Sequence, residues 1–192
     1  MKKDFSDLTV ERLCTRELVM TYRELTLNEV ERIREIDAEC YIQNAWRKVD
    51  GVLQLVTIDW TDHELPNGLE WHSQHYTKSL EEGGKAFGCF DHDKLVGYAV
   101  IDATIFGINE RYVLLDQIFI SKDYRGQGIG KEFFYMCSKQ AVIWGADKLY
   151  ICAGSSEDTI AFYHKLGCVD VKEVNQELYE LDPNDIQLEF SC

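Results

Sequence analysis

The chain has 192 residues, 45% of them hydrophobic and 28% charged, with 34 acidic side chains against 20 basic ones for a net charge of -14 and a pI near 4.7. That length suits one domain with a substantial core, and two prolines with no low-complexity run argue against linkers or disordered tails. A surface this acidic argues against a nucleic-acid partner, since binding phosphates needs a basic face, and it suits cationic small molecules better.

The first residues, MKKDFSDLTVERL, hold lysines with no apolar stretch behind them, and no later run approaches the roughly 20 apolar residues that cross a bilayer. The expectation is therefore a cytoplasmic protein with no membrane contact. Leu18 to Leu25 alternates as a strand does. TLNEVERIREID follows as a helix, with Thr26 as cap, Glu29 completing a capping box, and Val30, Ile33 and Ile36 on one face. Residues 40–84 read poorly. YIQNAW extends a helix in this reading, VLQLVTIDW forms a strand, and LEWHSQHYTKSLEEG forms a helix after the turn-forming LPNG.

From Lys85 the pattern sharpens. KAFGCFDHDKLVGYAVIDATI is two apolar runs around DHDK, the signature of a hairpin. YVLLDQIFIS is a buried strand, and a helix from about Gly128 to Trp144 places Ile129, Phe133, Met136, Cys137, Ala141 and Trp144 on one core-facing stripe. KLYICAG is a short buried strand, SSEDTIAFYHKLG a helix with a serine cap and a glycine stop, and CVDVKEVNQELYELDPNDIQLEF a terminal strand pair. The order implies an α/β domain with a mixed sheet. Seven cysteines lie scattered without a C-x-x-C pair, as buried thiols in a reducing compartment would, and neither disulfides nor zinc are expected. Between Ser156 and Phe190 nine acids face two lysines. They make either a solvated surface or an acidic mouth that attracts amines.

The stretch most specific for chemistry is YRGQGIGK, Tyr124 to Lys131. A P-loop is excluded, because Arg125 stands where its first glycine belongs and Glu132 where its hydroxyl belongs. A dinucleotide fingerprint beginning at Gly126 fails at Lys131, and SKDYR separates the strand from the glycines where a tight turn is needed. What remains is a strand, an arm bearing an arginine, and glycines opening into a helix. Such a segment either cradles an anion with backbone N–H groups and the helix dipole, reinforced by Arg125 and Lys131, or is a glycine turn that caps a core helix.

Arg125, Gly128 and Gly130 stand in the pattern of the pyrophosphate loop of the GNAT superfamily of N-acetyltransferases, which the segment closely resembles. SSEDTIAFYHKLGC resembles the next helix of that family, with Tyr163 and Gly167 at its tyrosine and glycine. The matches lie in the right order, one helix and one strand apart, and cover about Lys85 to Cys168. Departures are Ser156 where asparagine is common, Thr159 where alanine is common, Cys168 for a usual phenylalanine, and Lys122 for a usual proline. The resemblance implies a single domain with a mixed, mostly antiparallel sheet flanked by helices. Within it, residues 18–84 would form an N-terminal half with a variable acceptor region, 85–168 the acetyl-CoA-binding core, and 169–192 C-terminal strands. Acetyl-CoA would be the cosubstrate, without a metal. The coenzyme would touch Ile118, Phe119, Ile120, Arg125, Gly126, Gln127, Gly128, Ile129, Gly130, Lys131, Ser156 and Tyr163, with an amide near Ile120 as oxyanion donor.

Transfer of an acetyl group from a thioester to an amine needs a neutral amine, a stabilised oxyanion and a proton for the leaving thiolate. By the resemblance, Tyr163 is the acid. Asp116, a carboxylate among apolar strand residues and therefore costly unless it faces a polar cleft or has partners, is the candidate base, or else a hydrogen-bonded structural group. His72 and His75 read as surface residues, and His164 sits at a variable position of the helix motif. Trp46, Trp60 and Trp71 with Asp59, Asp62 and Glu64 read either as core and surface or as an aromatic, acidic site for a cation. The expected reaction is acetylation of a small polyamine-like or aminoglycoside-like amine, with peptide N-acetylation and a silent acyl-CoA-binding module as rivals. A homodimer is compatible with all three.

Overall fold

Residues 20–192 are described, in a computed structural model. Their elements are β1 (Met20–Leu25), a 3-10 helix (Leu27–Glu35), β2 (Cys40–Val49), β3 (Val52–Asp62), α1 (Gly68–Glu81), β4 (Lys85–Asp91), β5 (Lys94–Ile101), β6 (Tyr112–Ile120), a 3-10 turn (Lys122–Tyr124), α2 (Ile129–Trp144), β7 (Lys148–Ala153), α3 (Glu157–Leu166), β8 (Val169–Asp170), α4 (Gln176–Leu181) and β9 (Ile186–Ser191). Seven strands make one sheet in the order β1-β4-β5-β6-β7-β9-β8, while β2 and β3 pair separately as a ribbon. Every neighbouring pair in the large sheet is antiparallel except β6 and β7. Among the described residues no helix is long and apolar enough to cross a membrane.

Strand alternation divides the core between the two faces of this sheet. On one face Val113, Leu115, Leu149, Ile151 and Ala153 meet Phe133, Phe134, Cys137 and Ala141 of α2 and Ile160 and Tyr163 of α3. On the other, Leu95, Tyr98 and Val100 meet Ile33 and Ile36 of the first 3-10 segment and Tyr76 of α1. The predicted stripe of α2 packs as its spacing requires, with Ile129, Phe133, Cys137 and Ala141 buried.

The parting of β6 from β7 positions everything that follows. Their ladder runs only from Tyr112–Lys148 to Leu115–Ile151. Beyond it β6 carries a bulge: Val100 of β5 lies opposite Gln117 and Ile101 opposite Leu115, which leaves Asp116 as the extra residue. A bulge bends and twists its strand. The β7-facing edge of residues 116–120 is left outside that ladder.

Several expected elements differ. TLNEVERIREID winds as a 3-10 helix, although its capping box forms, with the Glu29 carboxylate accepting from the Thr26 N–H and hydroxyl at 3.0 Å each. The same carboxylate takes both terminal nitrogens of Arg23, at 2.6 and 3.0 Å. YIQNAW belongs to strand β2. Its signal lay one step downstream, in Asp50-Gly51 between two apolar runs, a two-residue hairpin turn with φ of 50° and 81°. The C-terminal segment contains the expected β8–β9 pairing but inserts α4, capped by the Asn175 side chain on the Leu178 N–H at 3.1 Å. Leu18, Val19, Cys14 and the N-terminal residues read for targeting lie outside the described residues. The other six cysteines are free thiols: Cys89, Cys137 and Cys168 are buried, Cys40 and Cys152 half-buried, and Cys192 exposed.

One buried ion pair ties the far edge of the sheet together. Lys148 Nζ donates to Glu189 at 2.8 Å and Glu110 at 2.9 Å, and Glu189 also accepts from the Tyr112 hydroxyl at 2.6 Å and the Lys172 N–H at 3.1 Å. Burial pushes the Glu189 carboxyl up, but Lys148, Tyr112 and the Lys172 amide outweigh it and hold it below the ordinary glutamate range. Because the folded value is depressed, this contribution is present above the usual glutamate pKa of about 4.3 and is lost as pH falls through the folded value. Lys148→Met should cost about 3–5 kcal/mol in urea unfolding at pH 7. The deficit should shrink toward pH 3, and one independent of pH would show that Glu189 is not the group left stranded.

Candidate functional site

The glycine loop lies between the end of β6 and the start of α2. Gly126 and Gly128 have φ of 75° and 86°, and a Cβ at either would meet nothing within 4 Å. Their demand is conformational, and the space beside them is open. Gly130 is different: a Cβ there would press Phe162 at 3.2 Å and Ile120 at 3.3 Å, so its smallness lets α2 lie against α3 and the tip of β6. The first backbone bond past the loop runs from Glu132 N to Gly128 O at 3.1 Å. The N–H groups from Gly126 to Lys131 precede it, and those at the helix start have no intrahelical acceptor.

Arg125 does not aim at this space. Its guanidinium is spread over three carbonyls, Ile120 at 3.0 Å and Ala38 and Glu39 at 2.9 Å each. Lys122 N adds a bond to Asp37 O at 2.9 Å and Ser121 Oγ accepts from Asp37 N at 3.1 Å, so segment 37–39 is fastened along the arm. The cation expected to reinforce an anion site instead shapes the loop. Lys131 remains exposed, with Nζ 5.9 Å from the Tyr135 ring.

Where β6 leaves β7, carboxylates gather. Asp116, with a side chain 9% exposed, lies with Oδ1 3.5 Å from His75 Nδ1, and His75 stacks on Trp71 at 3.6 Å. Asp102, just past β5, is pushed up to about 6 by burial and then by the Asp116 charge. Asp185, at the start of β9, is likewise pushed up to about 6 by burial and by Asp182, against the pull of Arg47. Burial and the charges of Asp185 and Asp116 also drive the Cys152 thiol up to about 12, which puts that thiol within reach of both fields. Next to it, the buried Gln187 amide accepts from Cys152 Sγ at 3.1 Å while its Nε2 has no partner among the described residues.

Tyr163 rises from α3 into the same region. It is 5% exposed, packed beside Phe162 and Phe134, and its hydroxyl makes no hydrogen bond among the described residues. Burial, followed by the neighbouring thiols and Asp185, holds the phenol well above its ordinary value, so it stays protonated. Ser156 is committed to capping α3, accepting from Thr159 N at 3.2 Å. Its backbone bridges Ala45 of the ribbon, beside a Trp46 N to Ser155 O bond of 2.8 Å.

The sequence profile described as the acetyltransferase (GNAT) family matches residues 30–168. The chain belongs to the GNAT family of acetyltransferases. No curated protein matches the sequence. Among solved structures the chain is similar in fold to nourseothricin acetyltransferase, with TM-score 0.67 and 19% identity over 90% of this chain and 98% of that one. A protein assigned as streptothricin acetyltransferase from Bacillus anthracis, in complex with acetyl coenzyme A, gives TM-score 0.66 and 17% identity over 91% and 99%. The PaiA N-acetyltransferase of Thermoplasma acidophilum, in complex with coenzyme A, gives 0.56 and 14% over 91% and 99%.

In this acetyltransferase the predicted residues thus fall into two connected groups. Ile120, Gly130 and the helix of Tyr163 meet at the loop, and Asp116 shares the Cys152 neighbourhood with Tyr163. The residues on the β3–α1 connection stand apart. Trp60, Asp62 and Glu64 line a surface hollow of about 530 Å³, while Trp46 packs on the core and Asp59 accepts from the Tyr41 hydroxyl.

One reading is overturned. His72 is not a surface residue; it is 2% exposed, with Nε2 2.8 Å from Pro66 O and Nδ1 3.0 Å from Gln117 Oε1. Three-residue spacing gave no means of telling which of the two histidines turned inward. Asp102 was missed because nothing local marks it, and its proximity to Asp116 arises only from strand pairing. No group of three histidine, cysteine or acidic side chains able to hold a metal occurs among the described residues.

Arg125→Ala and Arg125→Lys should both lower stability, by about 1–2 kcal/mol, because a lysine cannot span three carbonyls. Both should speed amide hydrogen exchange at residues 126–131. Full rescue by lysine would mean that the charge, not the fork of hydrogen bonds, is what the loop uses.

Proposed function

We propose that the protein transfers an acetyl group from acetyl-CoA to a primary amine of a small cationic acceptor. The observation that carries the acceptor class is the gathering of Asp102, Asp116 and Asp185 around the opening between β6 and β7, with the His75 ring beside Asp116 and Arg47 beside Asp185. A site of that sign attracts ammonium groups and repels anions.

The fit to coenzyme A rests on the chain's own surfaces. Gly126 and Gly128 leave open space beside free N–H groups at a helix start, an arrangement suited to a diphosphate. The unpaired edge of residues 116–120 suits an extended amide-bearing arm laid along Ile118, Phe119 and Ile120. When bound, acetyl-CoA supplies an acetyl thioester.

The rest is proton management. A lysine-like amine of pKa about 10.4 must be neutral to attack, at a cost of about 4.6 kcal/mol at pH 7. Asp116 Oδ1 takes that proton, and His75, a third exposed at 34%, connects the carboxylate to solvent. Tyr163 holds a proton on an oxygen that no acceptor among the described residues engages, where it is available to a departing thiolate. An N–H near Ile120 would donate to the thioester oxygen as negative charge develops on it.

Thiol release from acetyl-CoA should occur with polyamines or aminoglycosides and be weak with amino acids and peptides. Turnover of peptide N-termini alone would replace this acceptor class, and tight coenzyme binding without turnover of any amine would leave a silent binding module. Tyr163→Phe should lower kcat by about 10²-fold with the acetyl-CoA KM unchanged; an unaltered kcat removes Tyr163 from the chemistry. Asp116→Asn should show a similar loss at pH 7 that narrows as rising pH deprotonates the amine, and a loss constant with pH argues against a base.

A further inference from the structure

Three buried polar side chains take no part in the chemistry so far. His72, Tyr98 and Gln117 are 2%, 0% and 2% exposed, on α1, β5 and β6. Burying such groups is costly unless each is hydrogen-bonded, and a pocket walled by Phe119 and Trp71 would take apolar residues as readily.

Gln117 is the centre of the cluster. Its Oε1 accepts from the Tyr98 hydroxyl at 2.8 Å and lies 3.0 Å from His72 Nδ1. Its Nε2 donates to His72 O at 3.2 Å and to Asp116 Oδ2 at 3.1 Å. Both of its N–H donors are thereby used, and the Tyr98 hydroxyl is the donor to its oxygen. His72 is itself pinned, because the Pro66 carbonyl at 2.8 Å can only accept and so places a proton on Nε2. Burial pushes the His72 pKa down, which keeps the ring neutral. Its Nδ1 is then a lone pair beside the Tyr98 hydroxyl at 3.2 Å, so His72 holds Gln117 through its backbone carbonyl rather than through Nδ1.

Two hydrogen bonds leave the trio: one anchors His72 on the Pro66 carbonyl, and the other ends on the Asp116 carboxylate. Asp116 needs such a bond, since as the extra residue of a bulge it has no cross-strand partner on β5 to define its direction. We propose that Gln117, locked by Tyr98 and His72, is a positioning residue that holds Asp116 with Oδ2 in an amide hydrogen bond and Oδ1 turned toward His75 and the acceptor. The inference rests on the reading of Asp116 as the base.

The titratable groups around Asp116 are His72 and His75 from α1, Tyr98 and Asp102 from β5 and the turn after it, and Cys152 from β7, with Tyr163 of α3 and Asp185 before β9 on the far side of that thiol.

The test uses the full-length enzyme and two variants, Tyr98→Phe, which deletes one hydroxyl at constant shape, and Gln117→Met, which deletes the amide. For each, kcat/KM is measured against pH, and the Asp116 side-chain carboxyl is titrated by carbon-13 NMR. The acid limb of the profile and the carbon-13 midpoint should both move up, by about one pH unit in Gln117→Met and less in Tyr98→Phe. The acetyl-CoA KM should stay constant. A purely structural role would lower the melting temperature and leave both midpoints in place, and that result in either folded variant overturns the proposal. Should Gln117→Met fail to fold, Tyr98→Phe decides alone. Wild-type turnover in Asp116→Asn would sink the base and this role with it, whereas unmoved midpoints beside an inactive Asp116→Asn would sink the positioning role only.

Discussion

The single extra residue in β6 constrains more of this molecule than any packing contact. With Asp116 inserted opposite the junction of Val100 and Ile101, β6 keeps its ladder with β5 but leaves that with β7 after four pairs. A continuous parallel ladder would have satisfied the backbone between these strands and left no edge for a ligand. The interruption exposes that edge, and it turns a carboxylate toward the face where α1 supplies His72 and His75. The opening and the carboxylate proposed as base are therefore one feature: straightening the bulge would remove both.

The loop after β6 follows a similar economy of means. Its glycines are needed for two separate reasons, left-handed backbone at Gly126 and Gly128 and close helix contact at Gly130. Arg125 binds carbonyls of segment 37–39, so the connection leading into the ribbon and the loop leading into α2 hold one another. The ribbon in turn reaches α3 through Ala45 and Ser156 and through Asn44 Nδ2 on Glu157 at 2.8 Å. The β2–β3 ribbon and the segment before it thereby hold both the glycine loop and the start of α3.

What the sequence made legible follows the range of the interactions involved. Strand β6, the loop, α2, β7 and α3 could be read because periodicity, a serine cap and glycine stops are local signals, and the family motifs lie within them. The ribbon was half missed because the half-buried positions of β2, Cys40, Ile42, Asn44 and Trp46, are not uniformly apolar and an irregularity after Ile42 leaves Ala45 as its buried residue, so the Asp50-Gly51 turn was the better clue. Single residues of the site were less readable than its elements. Asp116 stood out as a charge in an apolar strand, but Asp102 is 14 positions away, and Gln117 looked like an ordinary strand residue until Tyr98 and His72 were seen to surround it. Arg125 was legible as a motif residue while its direction was not, because motif spacing does not report which acceptor a guanidinium meets.

The acid-rich C-terminal segment shows why net charge alone is a poor guide to a binding site. Of its nine acids, Glu189 is buried against Lys148, Glu157 binds Asn44, Glu173 accepts from backbone N–H groups at 108 and 109, and most of the others face solvent. Asp185 is the one that reaches the opening, and the remaining carboxylates there come from β6 and the turn after β5. At physiological ionic strength charges are screened over about 8 Å, so the distant acids contribute little at the acceptor, while half-buried carboxylates keep most of their field. In the proposed function, discrimination among cationic acceptors would then depend on how Asp102, Asp116 and Asp185 are spaced around the opening, and that spacing is set by the bulge and by the pairing of β7 with β9.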